Sequence, residues 1–222
     1  MDPIPESSLA SPARAVPLIG IAGPSASGKS TLTRLFLAQA PSRAAHLSSD
    51  YYYRDLTPLS PSERARRNFD CPAALETELM RAHLLHLAAG CPIQAPVYDF
   101  RTHARTGTRE IQPDELVVVE GILLLAIEAV RPLFNLTVYL DTPSSICLQR
   151  RIERDQKERG RTVEDITRQY VTTVLPMMKQ YVHPSKSRAG LVLDGMRPMN
   201  DLAGELIRAV SPIMEAFQEK MR

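Results

Sequence analysis

Eight consecutive residues limit what this 222-residue chain can fold into more than any others. Gly23-Pro24-Ser25-Ala26-Ser27-Gly28-Lys29-Ser30, followed by Thr31, satisfies the pattern G-x-x-x-x-G-K-[ST]. The run before it, Pro17 to Ala22, is short, apolar and ends at a Gly-Pro pair, as a buried strand does when it stops at a turn. Behind it, Leu32, Leu35 and Phe36 recur at helical spacing until Pro41, which predicts a helix over residues 29–39. A glycine-rich turn between a buried strand and a helix N-terminus gathers backbone N–H groups around an anion, and the helix end adds partial positive charge. Gly23, Pro24, Ser25, Ala26, Ser27, Gly28, Lys29, Ser30 and Thr31 are therefore the expected phosphate-binding residues. Lys29 would neutralise the β/γ end of a triphosphate, and the Ser30 hydroxyl would contact magnesium. The competing reading, a flexible Gly/Ser turn, does not explain the placement between strand and helix.

The remaining pattern extends this unit. A second strand is expected over residues 44–49, then a Tyr- and Pro-rich connection and a helix from Pro72 to Ala89 that stops at Gly90. Residues 91–112 alternate around Thr106-Gly107-Thr108 and read as a β-hairpin inserted outside the main sheet. Leu116-Val117-Val118-Val119 is the strongest strand, and its unbroken apolar character indicates burial on both faces, as in a parallel sheet covered by helices. Strands follow over residues 136–140 and 190–193. Between them, Thr142 and Pro143 are expected to cap and open a helix reaching Lys157, and a helical region over residues 163–181 is expected to break or kink at Pro176. A helix over residues 202–221, with Pro212 inside it, closes the chain. Strands alternating with helices make this a three-layer α/β fold. The expected organisation is a flexible leader over residues 1–16 and one domain over residues 17–222.

Composition removes several function classes. The 27 Lys+Arg and 25 Asp+Glu leave a net charge of +2, so there is no global field to hold a nucleic acid. Phosphate recognition must be local. The longest apolar stretch, Leu116 to Ile127, is interrupted by Glu120, short of the ~18 residues of a membrane span. Cys71, Cys91 and Cys147 are odd in number and far apart, which fits a reducing cytoplasm better than a disulfide framework or a zinc site. The 18 prolines are dispersed, which predicts many abrupt element boundaries.

Three further features carry chemistry. Glu120 ends the strongest strand, where a carboxylate emerges beside the phosphate loop and a second magnesium contact is wanted; otherwise it is a strand-end acid facing water. Asp50 follows the second strand and could take a proton from an attacking hydroxyl, or simply cap a turn. From Arg150 to Arg161, six bases interleave with three acids. Arg151 and Arg154 share a helix face, and Arg159 and Arg161 flank Gly160, where the chain can hinge. That suits a lid over phosphates, over about residues 150–162, and equally a salt-bridged surface helix.

Several ordered motifs, spanning residues 18–190, resemble the uridine kinase (uridine-cytidine kinase) family of P-loop nucleoside kinases. Besides the phosphate loop they are Ser49-Asp50-Tyr51-Tyr52-Tyr53, Asn68-Phe69-Asp70-Cys71-Pro72, Pro96-Val97-Tyr98-Asp99-Phe100 with His103, Val119-Glu120-Gly121-Ile122, Arg151-Ile152-Glu153-Arg154-Asp155, Glu158-Arg159-Gly160-Arg161 and Gln169-Tyr170. The resemblance implies a P-loop NTPase fold of nucleoside-kinase type, with parallel central sheet, hairpin insertion and helical lid. It implies transfer of a phosphoryl group from ATP or GTP, with magnesium, to the 5′-hydroxyl of uridine or cytidine. Asp50 would be the catalytic base, also facing the magnesium held by Ser30 and Glu120. Lys29, Arg154 and Arg159 would act on the phosphates. Asp70 and Arg151 would hold the ribose hydroxyls, Tyr98, Phe100 and His103 would surround the pyrimidine, and Tyr53, Phe69, Arg161, Gln169 and Tyr170 would complete the pocket. A homotetramer is implied as well. The chain departs from the family pattern at Cys71, where a His is usual, and at Ala73-Ala74-Leu75-Glu76; Asp194 to Asn200 matches the adenine-side segment only loosely.

Two rival functions are weighed. A related P-loop kinase acting on ribulose phosphate, pantothenate or nicotinamide riboside would not need the aromatic hairpin. A GTP-dependent switch would need an Asn/Thr-Lys-x-Asp signature, which the sequence lacks.

Overall fold

The computed structural model describes residues 15–220. Five parallel strands form the central sheet: β1 (Leu18–Ala22), β2 (Ala44–Ser48), β5 (Leu116–Glu120), β6 (Leu136–Asp141) and β7 (Leu191–Asp194), in the order β2-β5-β1-β6-β7. β1 lies at the centre, with Leu18 opposite Val117 and Ile19 opposite Leu136. Its side chains alternate between the layers. Ile19 and Ile21 join Leu32, Phe36, Leu202 and Leu206 on the face covered by α1 (Lys29–Gln39) and α8 (Met199–Glu219). Leu18 and Ala22 join Leu84, Leu123, Tyr139 and Val174 on the other. Both faces are dry, which is why β1 and β5 read as continuous apolar runs.

On the second face lie α3 (Thr77–Ala88) and the antiparallel pair β3 (Ile93–Asp99) and β4 (Ala104–Ile111), which forms its own two-stranded sheet; the short α2 (Pro61–Ala65) meets the hairpin tip, where Arg64 donates to Thr102 O. After β6 come α4 (Ser144–Arg159) and α5 (Val163–Gln169). The chain then stays helical through π turns at Tyr170–Val174 and Met178–Val182, alternating with the short α-helical turns α6 (Leu175–Met177) and α7 (His183–Ser185). Among the described residues, no helix is long and apolar enough to cross a membrane.

Five expectations need correction. The helix expected from Pro72 begins at Thr77, because Leu75 first pairs with Tyr53 as an isolated bridge and Glu76 N–H bonds to Tyr52 O. The hairpin turns at residues 100–103, not at Gly107, which lies within β4 where the ladder shifts register. Thr142 does not cap α4; its hydroxyl donates instead to Ser27 O at 3.1 Å, and Pro143 occupies the cap position. Pro176 does not break the helical path: it and Pro184 each follow a π turn, so the missing amide donor is absorbed by a wider turn. Of the leader, residues 1–14 lie outside the described residues, while Val16 is buried and its N–H donates to Ala88 O.

Candidate active site

The carboxyl ends of β1, β2 and β5 converge on the turn that precedes α1. Gly23 opens that turn at φ +146°, and a Cβ there would sit 2.5 Å from Leu140 O, so only glycine fits. Among the described residues only two non-glycines adopt left-handed backbone, Ala26 in this loop and His103 at the hairpin tip. Both lie at the site, where strain is characteristically held. Lys29 is buried at the start of α1, and its Nζ donates to Gly23 O at 3.0 Å and Pro24 O at 2.8 Å. Burial holds its pKa below the usual lysine range, against the pull of the Glu120 and Asp50 carboxylates.

Asp50 stands in a single 3₁₀ turn, Ser49–Tyr52, entered directly from β2 and capped by Ser48, whose Oγ accepts from Asp50 N–H. Burial, and next the neighbouring Glu120 carboxylate, raise the Asp50 pKa to about 6, with Lys29 opposing. Glu120 ends β5 and is buried, and His46 Nε2 lies 3.9 Å from its Oε1.

Two cavities meet here. The smaller, about 310 Å³, is lined by Ser25, Ala26, Gly28, Lys29, Ser30, Thr31, Asp50 and Glu120, with Arg150 and Arg154 across from them. The larger, about 510 Å³, runs between the hairpin and α4. Ser25, Asp50, Ile122 and Arg154 line both, so Asp50 is the one carboxylate on the seam.

An aromatic wall closes the far side of the larger cavity. The Tyr53 ring lies 5.4 Å from Tyr98 and 5.5 Å from Phe69, and Phe69 stacks on His103 at 4.5 Å. Burial raises the pKa of Tyr98 to about 12 and lowers that of His103, so both are neutral near pH 7. Opposite stands the polar wall. Asp70 has its pKa raised by burial, with Arg151 opposing. Gln169 Oε1 accepts from Arg151 at 3.1 Å and from Arg161 at 2.7 Å. Arg159 reaches over the Phe100 ring at 5.5 Å, so α4 and the hairpin tip meet across the mouth.

A family profile described as the Phosphoribulokinase / Uridine kinase family matches residues 18–203. The chain belongs to this family. It is 40% identical over 182 residues to a protein named uridine kinase from Vibrio cholerae, covering 79% of this chain and 85% of that one. Its fold resembles a putative fructose transport system kinase from Silicibacter, with a TM-score of 0.64 at 18% identity over 81% of this chain and 90% of that one. It also resembles phosphoribulokinase from Rhodobacter spheroides, with a TM-score of 0.62 at 17% identity over 83% of this chain and 74% of that one. The P-loop kinase fold of the family, with its parallel central sheet between helices, is thus the fold of this chain.

Most of the residues picked out by motif gather around the two cavities: Tyr53, Phe69, Asp70, Tyr98, Phe100, His103, Arg151, Arg154, Arg159, Arg161 and Gln169 all line the larger one. Of the phosphate-loop residues, Gly23, Pro24 and Ser27 do not line the smaller cavity; the first two face Lys29 with their carbonyls. Tyr170 is not brought to the cavity. It sits in the core, with its hydroxyl donating to Ser144 O at 3.1 Å. Sequence reasoning missed Arg101 and Ile122, which line the larger cavity, and gave no role to Asp155, which four arginines surround. Ile122 lay within a quoted motif, directly after Glu120-Gly121, and Arg101 within the hairpin between Phe100 and His103; neither residue type signals a site by itself.

Proposed function

We propose that this chain is a uridine/cytidine kinase that transfers the γ-phosphoryl group of ATP or GTP to the nucleoside 5′-hydroxyl, giving UMP or CMP in pyrimidine salvage. One observation carries the reading: Asp50 lies on the seam between a cavity lined by the glycine-rich loop and an aromatic one, where donor and acceptor must meet for in-line transfer. The Vibrio cholerae relative named uridine kinase supports the choice of acceptor, and the aromatic wall suits a base better than an open-chain substrate.

In this mechanism the vicinal ribose hydroxyls bond to Asp70 and Arg151, and the pyrimidine lies among Tyr98, Phe100, Phe69 and His103. Their spacing positions the 5′-hydroxyl at Asp50, which accepts its proton as the hydroxyl oxygen attacks. In the metal-free protein Asp50 titrates near 6, so it is ionised at neutral pH and can accept a hydrogen bond from the attacking hydroxyl. Lys29 exchanges two neutral carbonyls for phosphate oxygens, and Arg154 and Arg159 approach the same charge from α4. Closure of the segment over residues 150–162 keeps water from the phosphoryl group.

The residues fit magnesium. Ser30, Glu120 and Asp50 offer hard oxygen donors in one cavity, and the Glu120 charge that raises the Asp50 pKa is the repulsion a cation relieves. Among the described residues no cluster of three or more His, Cys, Asp or Glu side chains forms a metal cage; magnesium usually takes one or two carboxylates and completes its shell with phosphates and water. Held by Ser30, Glu120 and Asp50, it would supply neutralisation of phosphate charge.

The reading includes one kinase domain over residues 17–222, with the hairpin at about residues 91–112 as its insertion. It includes a cytoplasmic location, supported by three free cysteines, and a homotetramer, supported by the family resemblance alone. Release of ADP, measured with a panel of nucleosides, tests the activity. Strong stimulation by uridine and cytidine is expected; no stimulation by either overturns it.

A further inference from the structure

We propose that Asp155 is a positioning residue that holds the four cavity arginines, Arg151, Arg154, Arg159 and Arg161, in the geometry phosphoryl transfer requires. The inference rests on the kinase function proposed for this site. Asp155 lies in the last turns of α4 and is fully buried, and it lines neither cavity. A buried carboxylate is tolerated only when paired, and here the partners are unequal in kind. Oδ1 accepts from Arg154, with Nη2 at 2.8 Å and Nε at 2.9 Å, and lies 3.6 Å from Arg159. Oδ2 lies 3.6 Å from Arg151 and 3.5 Å from Arg161. One oxygen therefore faces the two arginines assigned to phosphate, and the other faces the two on the ribose side.

The Oδ2 contacts are ion pairs longer than hydrogen bonds, and Oδ2 has no hydrogen-bond partner at all. A fully buried oxygen in that condition gains from any movement that brings a guanidinium closer. Arg161 can make that movement, since it follows Gly160, which closes α4 in left-handed backbone. Its own N–H already bonds to the Asp155 carbonyl at 3.2 Å, so backbone and side chain of one residue anchor the segment that covers the site. Gln169 Oε1, shared by Arg151 and Arg161, braces the same pair from α5. A surface helix laced with salt bridges would not bury its acid this way. The acid on the outer face of α4 is placed differently: Glu153 is exposed and accepts from Gln149.

The test compares wild type, Asp155→Asn and Asp155→Glu by kcat, by KM for uridine and ATP, and by inhibition with inorganic tripolyphosphate. In Asp155→Asn the guanidiniums lose their shared anchor, and kcat falls by about 10²-fold, the scale of misplaced catalytic groups. Tripolyphosphate inhibits that variant at least as tightly as wild type, because the cluster gains one net positive charge. In Asp155→Glu, which keeps the charge and displaces it by one methylene, kcat falls by about tenfold with KM for ATP little changed. A kcat within threefold of wild type in Asp155→Asn overturns the proposal, as does parallel loss of kcat and tripolyphosphate binding, the mark of a merely structural role. Should Asp155→Asn fail to fold, Asp155→Glu decides alone, and a wild-type kcat there overturns it. Wild type without uridine-dependent turnover refutes the kinase function, and this proposal with it; active wild type beside an equally active Asp155→Asn refutes only the role of Asp155.

Discussion

Replacing Asp50 by Asn should make the protein more stable and nearly inactive, with a pH signature that belongs to one carboxyl group. Asp50 titrates near 3.8 in the unfolded chain and near 6 in the folded one, chiefly through burial and then through Glu120. The folded protein thus holds this proton more tightly than the unfolded one. Its stability is greatest below the unfolded value, declines as pH rises from 3.8 towards 6, and carries the whole loss above that. At about 1.36 kcal/mol per pH unit, the rise corresponds to about 3 kcal/mol. Asp50 borders two open cavities and is only half-buried, so screening reduces this to about 1.5–2 kcal/mol. Asparagine is of the same shape and never ionises. Its advantage over wild type should be near zero at about pH 4 and complete by about pH 7, where it raises Tm by about 3–8 °C for a chain of this length. Denaturant melts of both proteins across that range read the difference directly. Uridine turnover should fall by about 10²–10⁴-fold with loss of the base. A stability difference independent of pH, or an Asn variant less stable than wild type at neutral pH, would refute the assignment of a strained carboxylate. Full activity would refute its role as base.

Other substitutions separate the remaining parts. Lys29→Met removes the cation on the phosphate loop and should lower kcat by about 10²–10³-fold while uridine binding, read by calorimetry, stays close to wild type. Asp70→Ala should lower kcat/KM for uridine by about 10²-fold and that for 2′-deoxyuridine much less, so the ratio of the two, measured by ADP release, collapses. In Gly121→Ala the new methyl would overlap Ser49 Oγ, at the turn that carries Asp50. Urea melts should show a loss of about 1–3 kcal/mol, and turnover should fall with Asp50 displaced.

Much of this was legible in the residues because its cause is local. The strand, loop and helix around Lys29 follow from an apolar run, two glycines and a helical spacing within one stretch of chain, and α1 begins and ends where that spacing requires. The unbroken apolar runs of β1 and β5 announced a sheet covered on both faces. The pocket residues were reached differently, through the order of motifs, since nothing in Phe69 or His103 alone points to a cavity.

What required three dimensions arose from contacts between distant segments. Proline and glycine punctuate a chain, but the tertiary environment chooses among the structures they permit. Hence Thr142 turns from α4 to Ser27, Gly107 lies in a strand rather than at the hairpin tip, and Pro176 is passed by a π turn. Tyr170 carries the right motif and the wrong orientation, because its hydroxyl finds the Ser144 carbonyl and its ring fills the core. Asp155 shows the limit most clearly. Among six bases and three acids in a row, charge pattern alone cannot distinguish a solvated acid from a buried one. Burial depends on how side chains settle in three dimensions: Arg151, Arg154 and Arg159 of the same helix and Arg161 just beyond its end gather on Asp155, which is fully buried.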